Sequence, residues 1–193
     1  MPAPNADPAP PRPAPSPPLA RVHRLVWTAL LAACIAVGAW IQVPVGAVPI
    51  TLQPLFAFLA GYLLGPARGA AAVALYVAAG VLGLPVFAGG AAGLGVVLGP
   101  TGGYLLGFVV AAALTGLVPR RGPIGWGAGL AAGAAALAAA YVIGAAWLAA
   151  VLHLGARQAI VAGVVPFLPF DVVKVVVALW VARRLRAQGL APA

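Results

Sequence analysis

Between Leu25 and Trp180 the chain runs through one long apolar stretch after another, with Arg68, Arg120, Arg121, Arg157, Asp171 and Lys174 as its only charged side chains. That scarcity constrains the fold more than any motif does. A soluble domain carries about 25% charged residues, and this chain carries 7%. Most of its surface must therefore meet lipid rather than water. The apolar runs are also too long and too continuous for the short alternating strands of a membrane barrel. The reading is an all-α, polytopic integral membrane protein.

Proline, glycine and arginine punctuate the runs. Six helical segments are expected: Leu25 to Trp40, Pro54 to Gly65, Gly69 to Leu82, Gly103 to Val118, Ile124 to Leu152, and Gln158 to Trp180 with an interruption near Pro166 and Pro169. Pro66 and Arg68 mark a turn between the second and third. Read as six crossings, they place both termini on one side, with Arg157 alone in an opposite loop. The positive-inside rule then makes both termini cytoplasmic. Residues 1–20 are proline-rich and read as a disordered cytoplasmic tail, 21–186 as the membrane domain, and 187–193 as a short C-terminal tail.

The net charge of +9 does not suggest nucleic acid, because the basic residues sit at the ends of apolar runs rather than in aromatic-interleaved stripes. Cys34 is the only cysteine, and His23 and His153 have no metal-ligand spacing, so neither a disulfide nor a metal is expected. GAAGLGVVLG lacks the lysine and the strand–helix setting of a phosphate-binding loop. Asp171 is the only carboxylate residue outside the tail, which removes paired-carboxylate chemistry. No catalytic residue and no cofactor are expected, and any ATP-driven step needs a separate ATPase.

Asp171 and Lys174 are the most informative pair. An ionisable residue in a membrane segment faces a protein interior or a wet cavity, because lipid penalises charge. Their i,i+3 spacing puts them on one helical side, so they either contact a ligand or form an internal ion pair. Gln53 is a rare polar side chain that lines the same cavity or caps a helix. Tyr104 offers a hydroxyl, and Phe87 and Trp40 offer rings. Gly83 to Tyr104 is rich in glycine yet almost free of polar side chains, which suits backbone covering a pocket. In the first helix, Ala29 and Ala33, and Ala32 and Ala36, form small-residue stripes that either admit a neighbouring helix of another protein or pack internally.

Three segments carry a resemblance: VPITLQPLFAFLAGYLLGP from Val48 to Pro66, GLPVFAGGAAGLGVVLGPTGGYLLGF from Gly83 to Phe108, and PFLPFDVVK from Pro166 to Lys174. In this order they resemble the BioY family of biotin transporters, the substrate-binding S components of energy-coupling factor systems, over roughly Leu25 to Trp180. The resemblance implies a six-helix bundle with the glycine-rich segment over the pocket, and biotin contacts at Asp171, Lys174, Tyr104, Gln53, Phe87, Gly89 and Gly90. It pairs Asp171 with a ureido N–H, and Lys174 with the ureido oxygen or the valerate carboxylate. Backbone N–H groups of the glycine-rich segment, or Arg157, are the other candidates for that carboxylate. It also implies a transmembrane coupling subunit against Ala29, Ala32, Ala33 and Ala36, two ATPase subunits, and a bacterial or archaeal plasma membrane. An S component for another small vitamin and a solitary biotin transporter are the alternative readings.

Overall fold

The computed structural model describes residues 17–119 and 122–191. The greater part of the expected N-terminal tail lies outside the described residues. The described residues form eight α-helices and one small hairpin. Helix α1 is Pro17–Trp40, followed by strands β1 (Gln42–Val43) and β2 (Ile50–Thr51). Then come α2 (Gln53–Leu64), α3 (Pro66–Val81), a 3-10 turn at Ala88–Gly90 and the short α4 (Leu94–Leu98). Helices α5 (Gly102–Thr115), α6 (Trp126–Leu152), α7 (Ala156–Gly163) and α8 (Leu168–Ala187) complete it.

The expectation of six membrane crossings is corrected by the helix lengths. Among the described residues only α1, over Arg21–Trp40, and α6, of 27 residues, are long and apolar enough to cross a membrane, and α7 with α8 makes a third if that pair, bent by 54°, is one span. A crossing takes about 20 apolar residues, whereas α2, α3 and α5 have 12, 16 and 14. The stretch from Gln53 to Val81 is two helices, as its composition at Pro66 and Arg68 predicts. Gly65 adopts φ 79°, a left-handed conformation that ends α2. The turn expected at Pro66 and Arg68 is therefore displaced: the break is Gly65, and α3 opens at Pro66. Proline fits a first helical turn, where its missing N–H has no intrahelical partner.

Helix α2 is the centre of the bundle. It touches α1, α3, α5 and α8, and ten of its 12 residues are buried. A helix that is apolar all round suits a protein core or lipid alike, and it is this burial by four neighbouring helices that places α2 inside the bundle. Close packing depends on residues with little or no side chain. A Cβ on Gly61 would lie 2.0 Å from Thr115 Oγ1 and 2.1 Å from the Ala112 carbonyl oxygen of α5. Gly107 brings α5 against Ala140 of α6, where a Cβ would lie 2.9 Å from the Ala140 Cα. Without a hydrophobic drive between helices in lipid, such backbone approach supplies the packing. The outward face is correspondingly apolar, with Val37, Leu75, Val142 and Trp180 exposed.

Gly61→Ala should lower the thermal unfolding midpoint of the detergent-solubilised chain, costing about 1–3 kcal/mol by overpacking. Gly127→Ala, where a Cβ meets nothing within 4 Å, should leave the midpoint unchanged. Equal effects would show that α2 and α5 do not depend on that contact.

Candidate functional site

Helices α7 and α8 do not form one rod. The backbone turns through residues 164–167, and α8 restarts with Pro169 in its first turn. This restart puts Asp171 in the first turn of α8, where the positive end of the helix dipole favours a carboxylate. Lys174 follows one turn later, and both side chains are buried. Lys174 Nζ donates to Asp171 Oδ1 at 2.6 Å, and the hydroxyl of Tyr141 donates to Asp171 Oδ2 at 2.8 Å. Each carboxylate oxygen thus has one donor and keeps acceptor capacity, and the ammonium keeps two N–H groups. The pair is neutralised without being saturated.

These groups border a cavity of about 340 Å³, within the range of small-molecule pockets. Phe58, Phe87, Phe108, Phe167 and Tyr104 supply its aromatic wall. Gln53, at the start of α2, is buried on this wall. Its amide N–H donates to the Tyr76 hydroxyl, while its carbonyl accepts from Thr51 Oγ1 at 3.1 Å. The hairpin register sets Gln42 opposite Thr51, and both line the cavity. Gln42 is exposed, so it stands at the rim.

The glycine-rich segment forms part of the wall rather than a plain loop. Phe87, Ala88, Ala91, Gly95 and Gly99 all line the cavity. Phe87 is buried edge-to-face against Tyr76, at 5.6 Å between ring centres. It fits because Gly80 has no side chain: a Cβ there would lie 2.2 Å from the Phe87 ring. Two indoles pin the segment. Trp40 Nε1 donates to the Pro85 carbonyl at 3.1 Å, and Trp147 Nε1 donates to the Gly99 carbonyl at 3.0 Å.

Of the residues singled out in the sequence, Asp171, Lys174, Tyr104, Gln53 and Phe87 all come together on this cavity. Tyr104 commits its hydroxyl proton to the Gly163 carbonyl at 2.7 Å, so it offers the cavity a ring and oxygen lone pairs rather than a free donor. Gly89 and Gly90 are not on the cavity wall; both have positive φ and turn the backbone between Ala88 and Ala91. Trp40 and Arg157 also lie off the wall. On α1, Ala29 and Ala33 are exposed, Ala32 is buried in the chain's own core, and Ala36 is partly buried against it. Sequence reading missed Tyr141, Tyr76, Gln42 and Thr51. Tyr141 had one usable signal, as a hydroxyl within the alanine-rich run AAAYVIGAA.

Among the described residues no group of three His, Cys, Asp or Glu side chains is placed to hold a metal ion. The cavity offers one acceptor–donor pair and aromatic walls, within a bundle that has lipid-length helices. It is the cavity of a membrane protein that binds a small solute with a polar head and an apolar body. The chain belongs to the BioY family, whose model matches residues 12–190. This is a family of transport proteins rather than enzymes. The chain is 45% identical over 166 residues to a biotin transporter BioY of Thermotoga maritima, covering 86% of this chain and 96% of the relative. A probable biotin transporter BioY of Pyrococcus horikoshii is 42% identical, covering 82% of this chain and 93% of its own. The fold matches the crystal structure of the S-component for biotin from an ECF-type ABC transporter, with a TM-score of 0.79, 28% identity and coverage of 90% of this chain and 95% of that one.

Asp171→Ala should destabilise the protein strongly, by about 3–5 kcal/mol, because it strands a buried ammonium. Asp171→Asn combined with Lys174→Met should cost less than Asp171→Ala alone. Thermal unfolding in detergent distinguishes the two, and equal losses would count against a buried, coupled pair.

Proposed function

We propose that this chain binds biotin in the cavity bordered by Asp171 and Lys174 and carries it across the membrane as the S component of an ATP-driven energy-coupling factor transporter. One observation carries the reading: Asp171 and Lys174 set an acceptor and a donor side by side on an aromatic-walled cavity. A ureido group presents an N–H and a carbonyl on neighbouring atoms, which complements that pair. Asp171 accepts the ureido N–H and Lys174 donates to the ureido oxygen. The thiophane ring and the aliphatic chain meet the phenylalanines, with about 0.8 kcal/mol per buried methylene before binding costs. Gln42 and Thr101, both on the wall, provide neutral donors for the valerate carboxylate.

The relatives named biotin transporters and the solved S-component for biotin support both the ligand and the S-component role. The coupling partners follow from that role: a transmembrane coupling subunit and two ATPases. Ala29 and Ala33, exposed on α1, offer a small-residue surface for the coupling subunit. The basic ends of α1 and α8 support a plasma-membrane orientation with both termini cytoplasmic.

Titration calorimetry of the purified chain in detergent should show saturable biotin binding. Asp171→Asn and Tyr141→Phe should each weaken it by about tenfold or more, as loss of a hydrogen bond to a charged group predicts. No binding by the folded wild type would sink the assignment. Binding untouched by either variant would move the site elsewhere. In liposomes, ATP-independent uptake by this chain alone would reject the coupled mechanism.

A further inference from the structure

From floor to rim, the solute cavity changes from charged to neutral. Asp171 and Lys174 are buried, and among the described residues on its wall they are the only charged side chains. Gln42, Ala47, Ala91 and Gly95 also line it, but they are exposed and mark its rim. They belong to the β1–β2 hairpin and to the glycine-rich segment. The two meet there: a Cβ on Gly89 of the 3-10 turn would lie 3.0 Å from Gln42 Nε2. A ligand whose polar head bonds the buried pair therefore directs the far end of an extended body to this rim.

The polar side chains on the wall, besides the pair, are Gln42, Thr51, Gln53, Thr101, Tyr104 and Tyr141. Four of them donate to other protein groups: Thr51 to Gln53, Gln53 to Tyr76, Tyr104 to the Gly163 carbonyl, and Tyr141 to Asp171. Gln42 and Thr101 are left for the tail of a ligand. An amide and a hydroxyl each donate and accept, so they serve a carboxylate and a carboxamide alike. Backbone donors of the glycine-rich wall are engaged as well. The N–H of Phe87 bonds the Ala91 carbonyl at 3.0 Å, that of Val96 the Gly93 carbonyl at 3.3 Å, and that of Gly99 the Val96 carbonyl at 3.2 Å. Arg157 is exposed and lies off the wall. Sites that read an anion's charge use a guanidinium fork or charge-assisted N–H bonds. A carboxylate at an exposed rim instead keeps its water, and its charge gains little from the protein.

Resting on the biotin reading above, we infer that this cavity recognises the ureido head and apolar body of biotin but not the charge at the end of its tail. Neutral carboxamides of biotin are therefore ligands of the same cavity.

The test is displacement calorimetry on the purified full chain in detergent, with biotin and its primary amide as the two ligands. The amide should displace biotin, with a dissociation constant within about fivefold of the acid's, the most that an exposed charge contributes. Asp171→Asn should weaken acid and amide by the same factor, because both use the head contact. If that variant does not unfold cooperatively, Tyr141→Phe is read in the same way. Arg157→Gln should leave the ratio of the two affinities unchanged. A preference for the acid well beyond fivefold overturns the inference, and so does a ratio that shifts in Arg157→Gln, which would make that arginine the tail's partner. Amide binding untouched by both head variants places the amide elsewhere and overturns it too. Binding of neither compound by the folded wild type removes the biotin reading itself, whereas binding of the acid alone removes only this inference.

Discussion

Backbone N–H and C=O groups have no water to bond in a hydrocarbon phase, so irregular chain at membrane depth survives only where protein or a wet cavity covers it. The architecture follows from that constraint. Breaks occur at Gly65, between α7 and α8, and along the segment from Gly83 to Thr101, and each lies within or against the bundle. Where helices stop, other groups take over their bonding. Tyr104 donates to the Gly163 carbonyl beside the α7–α8 break. Trp147 donates to the Gly99 carbonyl, and Trp40 to the Pro85 carbonyl. The long helices α1 and α6 supply unbroken apolar length, and the short ones are sheltered between their neighbours.

The same breaks create the site. A continuous α7–α8 helix would have no free first turn for Asp171, and the aspartate would lose the favourable end of the helix dipole. The interruption also lets Phe167 turn onto the cavity. Burying a charge pair is costly unless its geometry is good and its remaining lone pairs find donors. Here the hydroxyl of Tyr141 provides the second donor. Among the described residues no buried side-chain nitrogen or oxygen lacks a partner. The pair is thus a satisfied structural element that retains bonding capacity for a ligand. These two properties are compatible because a carboxylate has more acceptor sites than its present donors use.

Much of the chemistry was legible in the sequence. Asp171 and Lys174 stood out because charge is so rare in this chain, and Gln53 because an amide beside Pro54 interrupts an apolar run. The order of the three motif segments pointed to the family. Crossing number was misread, because hydropathy records composition and not helix length. The break beside Gly65 was expected from Pro66 and Arg68, but the helices on either side of it, of 12 and 16 residues, were still counted as crossings. Gly89 and Gly90, singled out in the sequence, turn the backbone between Ala88 and Ala91, which line the cavity. Tyr141 was missed because its partner is 30 residues away on another helix, and no local spacing encodes that meeting.

The sequence by itself determined the solvent. With a charged fraction of 7%, the chain must bury itself in lipid and must keep its few ionisable groups inside protein. It also determined which residues could carry recognition, because so few polar groups were available. Only the tertiary structure decided which of them meet, which helices are long enough to span, and that α2 is enclosed on all sides. These outcomes depend on backbone approach at positions such as Gly61 and Gly107. The closeness of two helices there is set jointly by residues far apart in the chain, so no single segment of sequence contains it.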